Sequence, residues 1–461
     1  MSKEKNDYSV IFKPIKIGNV EIKNRIAMAP MNMNYTGPQH YVSDQQLAYF
    51  AARAKGGTGL IITDAVFGVW HPTADTYRKY NNMRLDNELF VAGMSELAEH
   101  IHSFGAKVFV QMAVGPGRQG TSEMGAVQPV SASPIPYKTY PENLINGIEP
   151  FSMLRALGYQ GELPITDDID ELLSFANKVP GSHMNGETPR EITVEEIQEL
   201  VKEIGVGAKL AKRAGFDGVE LHACHGYLIH SFFSHRSNRR TDQYGGSFEN
   251  RIRFLLECLR SMRKYVGPDY AIGVRFSASD NLPEGFDEHF AKRLAKRCEE
   301  EGVNYIHLSD GSYEKMNNFL PNEEALTIDK SAVINQGLNI PLICPSVHNP
   351  DNVVDALTKG KADMISIGRG LIAEPEWVNK VKEGRIKEII RCTRCNKGCI
   401  SRFVLGLPCR CVLNPTVGQE RFIDEYMRRP ILPLKKRVWQ TLAEVGKEPS
   451  VPIKGLRPED L

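Results

Sequence analysis

The feature that most restricts the fold is a rhythm of eight short apolar runs, each followed by an amphipathic stretch. The runs are rich in Val, Ile and Leu and lack strict alternation, which is typical of parallel strands covered on both faces. Such an order is compatible with an open doubly wound sheet or with a closed (β/α)8 barrel. The predicted strands are Arg25–Pro30, Gly59–Val66, Lys107–Ala113, Asp217–His222, Tyr270–Phe276, Val303–Ser309, Pro341–Pro345 and Asp363–Gly368.

The stretches between these runs predict helices. The clearest covers residues 193–214, where Thr193 and Glu196 form a capping box whose side chains satisfy exposed backbone donors. Gly215 follows where a left-handed residue would end this helix. Further helices are predicted at residues 44–56, 86–104, 248–266, 286–301, 349–359 and 375–384.

Residues 134–190 interrupt the rhythm, because they hold several prolines and glycines and only short helical patches. The segment is too long for an ordinary strand-to-helix loop. Two interpretations stand equal: an insertion over the C-terminal end of the third strand, and a surface excursion with no role in a site.

Charge and hydropathy exclude several classes of function. The formal net charge is +1, which gives no general reason to bind nucleic acid or an anionic membrane. The N-terminus is charged and lacks an apolar core, and no run approaches the roughly 18 apolar residues of a membrane span. We therefore expect a cytoplasmic protein without membrane or nucleic-acid partners.

Five of the nine cysteines fall within twenty residues. In a reducing compartment such a cluster indicates metal binding rather than disulfides. Four thiolates suit a [4Fe–4S] cluster, and they also suit a structural zinc ion. The clustered cysteines are Cys392, Cys395, Cys399, Cys409 and Cys411.

The residues at the strand ends favour the barrel over the open sheet. In a (β/α)8 barrel the active site lies at the C-terminal rim, where residues from different strands converge. An amide, imidazoles and two guanidiniums at successive strand ends indicate a rim that holds a polar ligand, rather than unrelated surface residues. The rim candidates are Met31, Ala65, Gln111, His222, Arg275, Ser346, Gly368 and Arg369.

The fourth strand carries the densest chemistry. His222 and His225 can present two imidazole N–H donors to one oxygen, which favours charge developing on a carbonyl. Tyr227 offers a phenol as a proton donor. The alternatives are two satisfied polar histidines beside a packing tyrosine, and a zinc site, although no carboxylate stands beside the pair.

Three segments resemble the old yellow enzyme family. The segment GFDGVELHACHGYLIHSFFSHRSNRRTDQYGGSFENRIRF resembles the family's strand-four signature almost residue for residue. FKPIKIGNVEIKNRIAMAPM is similar to its entry into strand one, and ADMISIGRGLIAEPEW to its strand-eight phosphate site. The resemblance covers about residues 10–415 and implies FMN bound over the rim of a (β/α)8 barrel.

The resemblance also implies roles for individual residues. Arg275 would lie near flavin N1, where a cation stabilises the anionic reduced ring, and Ser346 stands where the family more usually has glycine. His222 and His225 would bind a substrate carbonyl, and Tyr227 would protonate Cα after hydride transfer from flavin N5 to Cβ. The implied FMN contacts are Ala29, Pro30, Met31, Ala65, Gln111, Arg275, Ser346, Val347, Gly368 and Arg369.

The cysteine spacing resembles one branch of the family. The pattern Cys392-x2-Cys395-x3-Cys399-x11-Cys411, followed by Val-Leu-Asn-Pro, is similar to the [4Fe–4S] motif of 2,4-dienoyl-CoA reductase, enoate reductases and trimethylamine dehydrogenase. These four cysteines would ligate the cluster, and Cys409 would be spare. The implied organisation is a barrel over 1–385 with the inserted segment, a cluster-binding segment over 386–415 and an extended tail over 416–461.

The longer members of that branch carry FAD- and nucleotide-binding domains after the cluster, whereas here 50 residues follow Cys411. Two electron routes stay open: a separate reductase, ferredoxin or subunit that reduces the cluster, and NAD(P)H that binds directly over the flavin. The basic, proline-containing tail would bind a partner or a second protomer of a homo-oligomer, or wrap the barrel.

One glycine-rich motif would indicate a dinucleotide-binding fold, but its sequence context does not support that interpretation. Residues 115–120 satisfy G-x-G-x-x-G after a strand, but no helix opens behind them and no acidic residue stands in the required context. We expect a loop near the flavin, from which Arg118 could reach the cofactor or substrate.

The expected function is reduction of the C=C bond of an α,β-unsaturated carbonyl compound: an enone steroid, an enoate, an enoyl thioester or a phenolic. The first alternative is oxidative demethylation or dehydrogenation of an amine, for which Tyr35, Tyr41 and Trp70 could form an aromatic cage. A flavin and iron–sulfur electron-transfer subunit is the second, and a zinc-stapled barrel without flavin is the third.

Overall fold

The computed structural model of the chain describes residues 7–428 except 65, 70–81, 121–126, 140–144, 146–185 and 405. The predictions for Ala65 and Trp70, for most of the 134–190 segment and for the tail beyond residue 428 therefore lie outside the described residues.

A short hairpin opens the chain and closes one end of the molecule. Strands β1 (Ile15–Ile17) and β2 (Val20–Ile22) pair antiparallel, with Ile17 opposite Val20. The buried Ile17 and Ile22 pack with apolar residues at the starts of the following strands. The hairpin thus plugs the end of the molecule opposite to the C-terminal ends of those strands.

Eight parallel strands form a closed barrel, which confirms the choice of a (β/α)8 barrel over an open sheet. Neighbouring strands follow chain order, and pairing of Leu60–Ile62 with Lys107–Ala113 and of Ile26–Met28 with Met364–Ile367 completes the circle. Every barrel strand described is buried along almost its whole length, as the continuous apolar runs predict. The barrel strands are β3 (Ile26–Met28), β4 (Leu60–Ile62), β6 (Lys107–Ala113), β9 (Gly218–Ala223), β10 (Ala271–Ser277), β11 (Tyr305–Ser309), β12 (Leu342–Pro345) and β13 (Met364–Ile367).

Short strand pairs lie outside the circle. Strand β5 (Val66–Phe67) extends the edge of β6, and β7 (Val130–Ser131) pairs in parallel with β8 (Arg190–Glu191). The β7–β8 pair flanks most of the 134–190 segment, so the two boundaries of that segment are held side by side.

The helices follow the predicted capping signals closely. Thr193 caps the helix Val194–Arg213 with a complete capping box, and Gly215 after it has φ 88°. The helix predicted at 86–104 begins late, because Glu88–Phe90 forms a 3-10 turn before it. The helix Ile328–Asn335 was not predicted, since it buries only Ser331 and Ile334 and its amphipathic pattern is weak.

The α-helices are α1 (Asp44–Lys55), α2 (Val91–Ser103), α3 (Val194–Arg213), α4 (Phe248–Val266), α5 (Glu288–Glu300), α6 (Met316–Phe319), α7 (Ile328–Asn335), α8 (Pro350–Thr358), α9 (Arg369–Ala373), α10 (Trp377–Lys382), α11 (Ile400–Val404) and α12 (Asp424–Met427). The 3-10 helices are Ser9–Phe12, Pro38–His40, Glu88–Phe90, Gly117–Gln119, His230–Phe232, Tyr313–Lys315, Ile386–Glu388 and Glu420–Phe422.

The segment that carries the clustered cysteines is hydrogen-bonded to the loop after the first barrel strand. Asn34 Nδ2 donates to the carbonyls of Phe403 and Leu407, at 3.1 and 3.2 Å. The Tyr35 hydroxyl donates to the Cys409 carbonyl at 2.7 Å. The two segments are more than 360 residues apart in sequence, so this contact depends on a complete barrel.

A buried ion pair fixes the chain that follows the cysteines. Arg53 on α1 lies 2.6 Å from Glu420, and the two side chains are 0% and 2% exposed. The Arg53 guanidinium also stacks 3.8 Å from the Tyr49 ring centroid and donates to the Leu371 carbonyl. Both charges are therefore compensated away from water, as a buried pair requires.

None of the helices within the described ranges is long and apolar enough to cross a membrane.

Candidate active site

A cavity of about 240 Å³ opens at the C-terminal ends of the barrel strands. Its walls come from the first, third, fourth, fifth, sixth, seventh and eighth barrel strands or the residues that follow them, and from the cysteine segment. Of the predicted site residues that the structure describes, Val347, Cys395 and Cys411 do not line it. The predicted site residues that do are Ala29, Pro30, Met31, Gln111, His222, His225, Tyr227, Arg275, Ser346, Gly368, Arg369, Cys392 and Cys399.

The two histidines of β9 face the cavity as neutral imidazoles. Burial, and next the positive charge of Arg275, lower the pKa of His222 to about 3 and that of His225 well below its usual value. His225 Nε2 lies 2.6 Å from the Ser309 hydroxyl, whereas His222 Nδ1 is buried without a hydrogen-bond partner. At neutral pH both rings can donate an N–H without adding a charge.

Cys224 lies between the two rings. Its Sγ is 3.4 Å from His222 Nε2 and 3.5 Å from His225 Nδ1. Burial raises the pKa of this thiol to about 12, so it stays protonated and is only a weak hydrogen-bond partner. These three donor atoms lie within 4.8 Å of one another, a group that sequence reasoning, which considered zinc at the histidines alone, did not assemble.

Two tyrosine hydroxyls meet at the cavity wall. Tyr227 Oη lies 3.0 Å from Tyr313 Oη, and the two rings are edge to face. Phe319 packs on both Tyr313 and His225, with ring centroids 5.1 and 4.8 Å apart. Tyr313 and Phe319 follow the sixth barrel strand, and sequence reasoning missed them because no motif surrounds them.

The fifth strand brings a cation to the cavity floor. Arg275 is 8% exposed, and its Nε has no hydrogen-bond partner. Gln111 turns its Nε2 toward Glu220 at 2.6 Å, so its carbonyl oxygen is the end left for the cavity. A buried guanidinium with an unused donor requires an anionic or hydrogen-bonding ligand. These two residues fit a flavin ring, which offers N–H and oxygen groups and becomes anionic on reduction.

The seventh and eighth strands end in a tight turn region at the other side of the cavity. Ser346 has φ 63°, a left-handed conformation that favours glycine, which explains the family's usual residue there. A Cβ on Gly368 would lie 3.2 Å from Met31 Sδ, so a side chain at this position would require Met31 to move by a few tenths of an ångström. Arg369 lines the cavity and donates to Asn396 Oδ1 at 2.8 Å.

The clustered cysteines gather around Arg369. Burial lowers the pKa of Arg369, whereas the thiols of Cys392, Cys399 and Cys395 act in the opposite direction because they lie near its guanidinium. Burial raises the pKa of Cys392, and the nearby thiol of Cys411 raises it further. These four thiols are partly exposed, and Cys392 and Cys399 belong to the same cavity as the histidines.

The fifth clustered cysteine has a different environment. Cys409 is buried, its Sγ lies 3.4 Å from the Cys399 carbonyl, and its backbone N–H donates to Met33. Arg394 was also missed from the sequence: it lines the cavity and its Nη2 lies 3.2 Å from His348 Nε2.

Several other candidates lie away from the cavity. Gly117–Gln119 forms one 3-10 turn within the G-x-G-x-x-G stretch, and the residues that follow at 121–126 lie outside the described ranges. Arg118 makes a buried ion pair with Glu314 at 2.6 Å and does not line the cavity. Tyr35 is buried against the cysteine segment, and Tyr41 is exposed beside Phe90.

The fold and the site define a parallel-barrel protein whose C-terminal rim joins a histidine pair, a tyrosine and an arginine with an unused Nε donor. The profile of the NADH:flavin oxidoreductase / NADH oxidase family matches residues 10–388. The chain belongs to this family of flavin-dependent oxidoreductases, as the resemblance to old yellow enzymes predicts.

Similar proteins agree with this membership. The NADH oxidase of Thermoanaerobacter brockii is 39% identical over 93% of this chain and 59% of its own length. The cinnamate reductase of Clostridium sporogenes is 30% identical over 90% of this chain and also 59% of its own length. The structure of 2-naphthoyl-CoA reductase with 2-naphthoyl-CoA superposes with a TM-score of 0.74 at 28% identity, over 90% of this chain and 58% of that one. The chain thus spans less than two thirds of these relatives.

Proposed function

We propose that this protein is an FMN- and [4Fe–4S]-dependent ene-reductase that reduces the C=C bond of an α,β-unsaturated carbonyl compound. The observation that carries this proposal is that His222, His225 and Tyr227 line one cavity with Gln111 and Arg275. The cavity therefore combines N–H donors for a carbonyl oxygen, a proton donor and groups that suit a flavin ring.

The histidine pair would act on the carbonyl oxygen. Both imidazoles are neutral, because burial and Arg275 lower their pKa. They would polarise the carbonyl by donating hydrogen bonds that strengthen as negative charge develops on its oxygen. When bound, reduced FMN supplies the hydride to Cβ. Because the neutral imidazoles are hydrogen-bonded to the carbonyl oxygen, another group must donate the proton to Cα.

Tyr227 is that group in our proposal. Its hydroxyl would protonate Cα, and the phenolate left behind would accept a hydrogen bond from Tyr313 across 3.0 Å. The edge-to-face contact with His222, at 4.9 Å between ring centroids, keeps Tyr227 next to the carbonyl-binding ring. Phe319 and Tyr313 would give the substrate a flat aromatic wall.

For the cysteines we propose a [4Fe–4S] cluster in a segment over residues 386–415, ligated by Cys392, Cys395, Cys399 and Cys411. A mononuclear zinc site with bonds of about 2.3 Å would hold its sulfurs about 3.8 Å apart. Among the described residues the compact donor group is that of His222, Cys224 and His225, and the cysteine motif forms no such group. Sulfur atoms that are farther apart than the ligands of a single zinc ion favour a multinuclear cluster.

Electrons would reach the flavin from NAD(P)H, which the family name suggests, or from a reduced protein partner through the cluster. The cluster-binding thiols Cys392 and Cys399 share the cavity with the flavin-binding residues, which supports transfer between the two groups. The partner protein, a cytoplasmic location and a homo-oligomer belong to this proposal as well.

Amine oxidation is the less favoured alternative. It requires an aromatic cage around a cation, and neither Tyr35 nor Tyr41 lines the cavity. Two neutral imidazoles that donate N–H groups suit an oxygen atom better than an ammonium group, which accepts no hydrogen bond.

The test uses the anaerobically reduced holoenzyme mixed with a cyclic enone in a stopped-flow spectrometer. Tyr227→Phe should slow reoxidation of the flavin by about a hundredfold or more, the usual size of a general-acid contribution. Binding of a phenol, which mimics the enolate, should change little because both histidines remain.

Tyr41→Phe is the matched control, since this hydroxyl lies outside the cavity. It should react at the wild-type rate. A Tyr227→Phe enzyme as fast as wild type would rule out the proton-donor role. A wild-type enzyme inert to every enone but reduced by tertiary amines would replace ene-reduction by the alternative.

A further inference from the structure

A carboxylate lies inside the barrel just beneath the cavity. Glu220 on β9 is 0% exposed and accepts three hydrogen bonds. Gln111 Nε2 donates to Oε1 at 2.6 Å, while Tyr305 Oη and His307 Nδ1 donate to Oε2 at 2.9 and 2.8 Å. Glu220 does not line the cavity, but Gln111 does. The Gln111 amide at the cavity floor is thus held by a hydrogen bond to a carboxylate outside the cavity.

Glu220 carries a negative charge. Burial alone would raise its pKa, but His307, Arg275 and Gln111 outweigh burial and the pKa is lowered. His307 lies between Glu220 and Ser366, with Nδ1 2.8 Å from Glu220 Oε2 and Nε2 2.9 Å from the Ser366 hydroxyl. Burial lowers the pKa of His307, and Glu220 acts in the opposite direction. The permanent positive charge that acts on Glu220 is the Arg275 guanidinium.

The backbone is arranged so that these side chains can meet. Gln111 and Gly273 are the register partners of Glu220 on the two adjacent strands, and Tyr305 is the partner of Gly273. A Cβ on Gly273 would lie 2.0 Å from the Tyr305 ring. Only glycine at this position lets Tyr305 reach across a whole strand to Glu220.

The charge of Glu220 also fixes the orientation of an amide. A carboxylate accepts and never donates, so Gln111 must offer its NH₂ end to Glu220. The Gln111 carbonyl oxygen is the remaining end, and it belongs to a residue that lines the cavity. An amide oxygen in this place can accept the imide N–H of a flavin and cannot serve as a donor.

We propose that Glu220 is a positioning residue that holds the Gln111 oxygen toward the flavin and offsets the Arg275 charge, and thereby sets the reduction potential of the bound flavin. This inference rests on flavin binding in the proposed function and not on ene-reduction. Arg275 stabilises the anionic reduced flavin, and the negative charge of Glu220 reduces this stabilisation.

The test compares flavin potentials of the wild-type holoenzyme, Glu220→Gln and a control. Glu220→Gln keeps the shape and removes the charge, so Arg275 is no longer offset. Reduced flavin should then bind at least tenfold more tightly relative to oxidised flavin, a rise of about 30 mV for a two-electron couple. Glu314→Gln removes another buried carboxylate, paired with Arg118 and Arg236, and should leave the potential unchanged.

A second readout follows the amide. In Glu220→Gln the Gln111 amide is free to turn its NH₂ toward the flavin, so the N3–H of the oxidised flavin should lose its proton at lower pH, as seen in the visible spectrum. Gln111→Leu removes the amide and keeps the charge, so it should show the N3–H change with less than a threefold change in relative affinity.

Two outcomes would overturn the inference. One is a Glu220→Gln potential within the spread of wild type and Glu314→Gln. The other is a Gln111→Leu protein with a wild-type N3–H titration, a result that decides the positioning role even if Glu220→Gln does not fold. Neither measurement involves an enone, so failure of the ene-reductase proposal would be seen separately.

Discussion

The buried acidic residues that the structure describes differ in how completely their carboxylate oxygens are hydrogen-bonded. Glu220 uses both oxygens on three donors, and Glu420 is bound to Arg53. Asp64, directly after the second barrel strand, is buried with Oδ1 unpartnered. Burial raises its pKa to about 7. A carboxyl group in this state is tolerated only while it keeps its proton.

The consequence is a dependence of stability on pH. Between the unfolded value of about 3.9 and about 7, folded Asp64 holds a proton that the unfolded chain has lost. The free energy of unfolding therefore falls as pH rises through this window, by at most about 1.4 kcal/mol per pH unit, and levels off above it. Asp64→Asn should remove this decline in urea unfolding at pH 5, 6 and 7.5.

Asp329→Asn serves as the control, because that side chain is 90% exposed and should leave the profile as it is. Parallel wild-type and Asp64→Asn profiles would mean that Asp64 is ionised in the folded protein across the whole range.

Single residues of the site were predictable where a local motif surrounds them. His222, His225 and Tyr227 stand within six residues of one strand end, and their chemistry is visible from the letters alone. Tyr313 is 86 residues from Tyr227, and only closure of the barrel brings the two hydroxyls together. Glu220 was overlooked for another reason: a carboxylate inside an apolar run is recognisable as functional only when its partners on neighbouring strands are known.

At the level of elements, helices with capping residues were predicted well. The chain gave clear signals at Thr193 and Gly215, and α4 has the predicted bounds. The amino-terminal hairpin was not predicted, because its strands have three residues each and too few apolar positions for a periodicity. The attachment of the cysteine segment was not predicted either, since it depends on contacts across almost the whole chain.

Two ion pairs join α1 to the chain after the cysteines, and they should differ greatly in their contribution. Arg53→Met leaves the Glu420 charge buried and unpaired, which should cost about 3–5 kcal/mol. Lys55→Met breaks the pair with Glu425, whose side chains are 41% and 54% exposed, and should cost at most about 1 kcal/mol. Urea unfolding gives the free energies.

Hydrogen exchange locates the effect. Amides of residues 414–428 should lose protection in Arg53→Met and keep it in Lys55→Met. Equal losses in the two variants would show that the buried pair is not what fastens this segment.

At the level of the whole molecule, the barrel sheet closes without the cysteine segment, although Cys409 and Val417 of that segment pack into the barrel's main core. All eight strands pair with one another without any residue beyond 367, so spacing and apolar runs were sufficient to predict the barrel once the rim residues were considered. Which cysteines act together could be predicted only through resemblance, because Cys409 and Cys411 are two residues apart and spacing treats them alike.

Closure of the barrel sheet without the cysteine segment predicts how cysteine variants behave. Cys411→Ser should lose the iron while flavin absorbance and the main unfolding transition persist, because the barrel closes without the cluster. Cys409→Ser should retain about four iron atoms per chain, because this thiol is buried against backbone carbonyls. Anaerobic iron and zinc analysis with visible spectra provides the measurement.

If Cys409→Ser lost the iron and Cys411→Ser retained it, Cys409 would be the fourth ligand. Zinc in place of iron in the wild-type protein would contradict the cluster altogether.

The hydrogen bonds between the loop at Asn34–Tyr35 and residues 403–409 also have a consequence for biosynthesis. The loop after the first strand leaves the ribosome early, yet its partners appear only when the chain is nearly finished. Ala29, Pro30 and Met31, just ahead of that loop, line the cavity. During translation this wall has no partner to hold it, so the cavity reaches its final form after the cysteines have emerged. We therefore expect the proposed flavin to bind only after residues 403–409 have been synthesised.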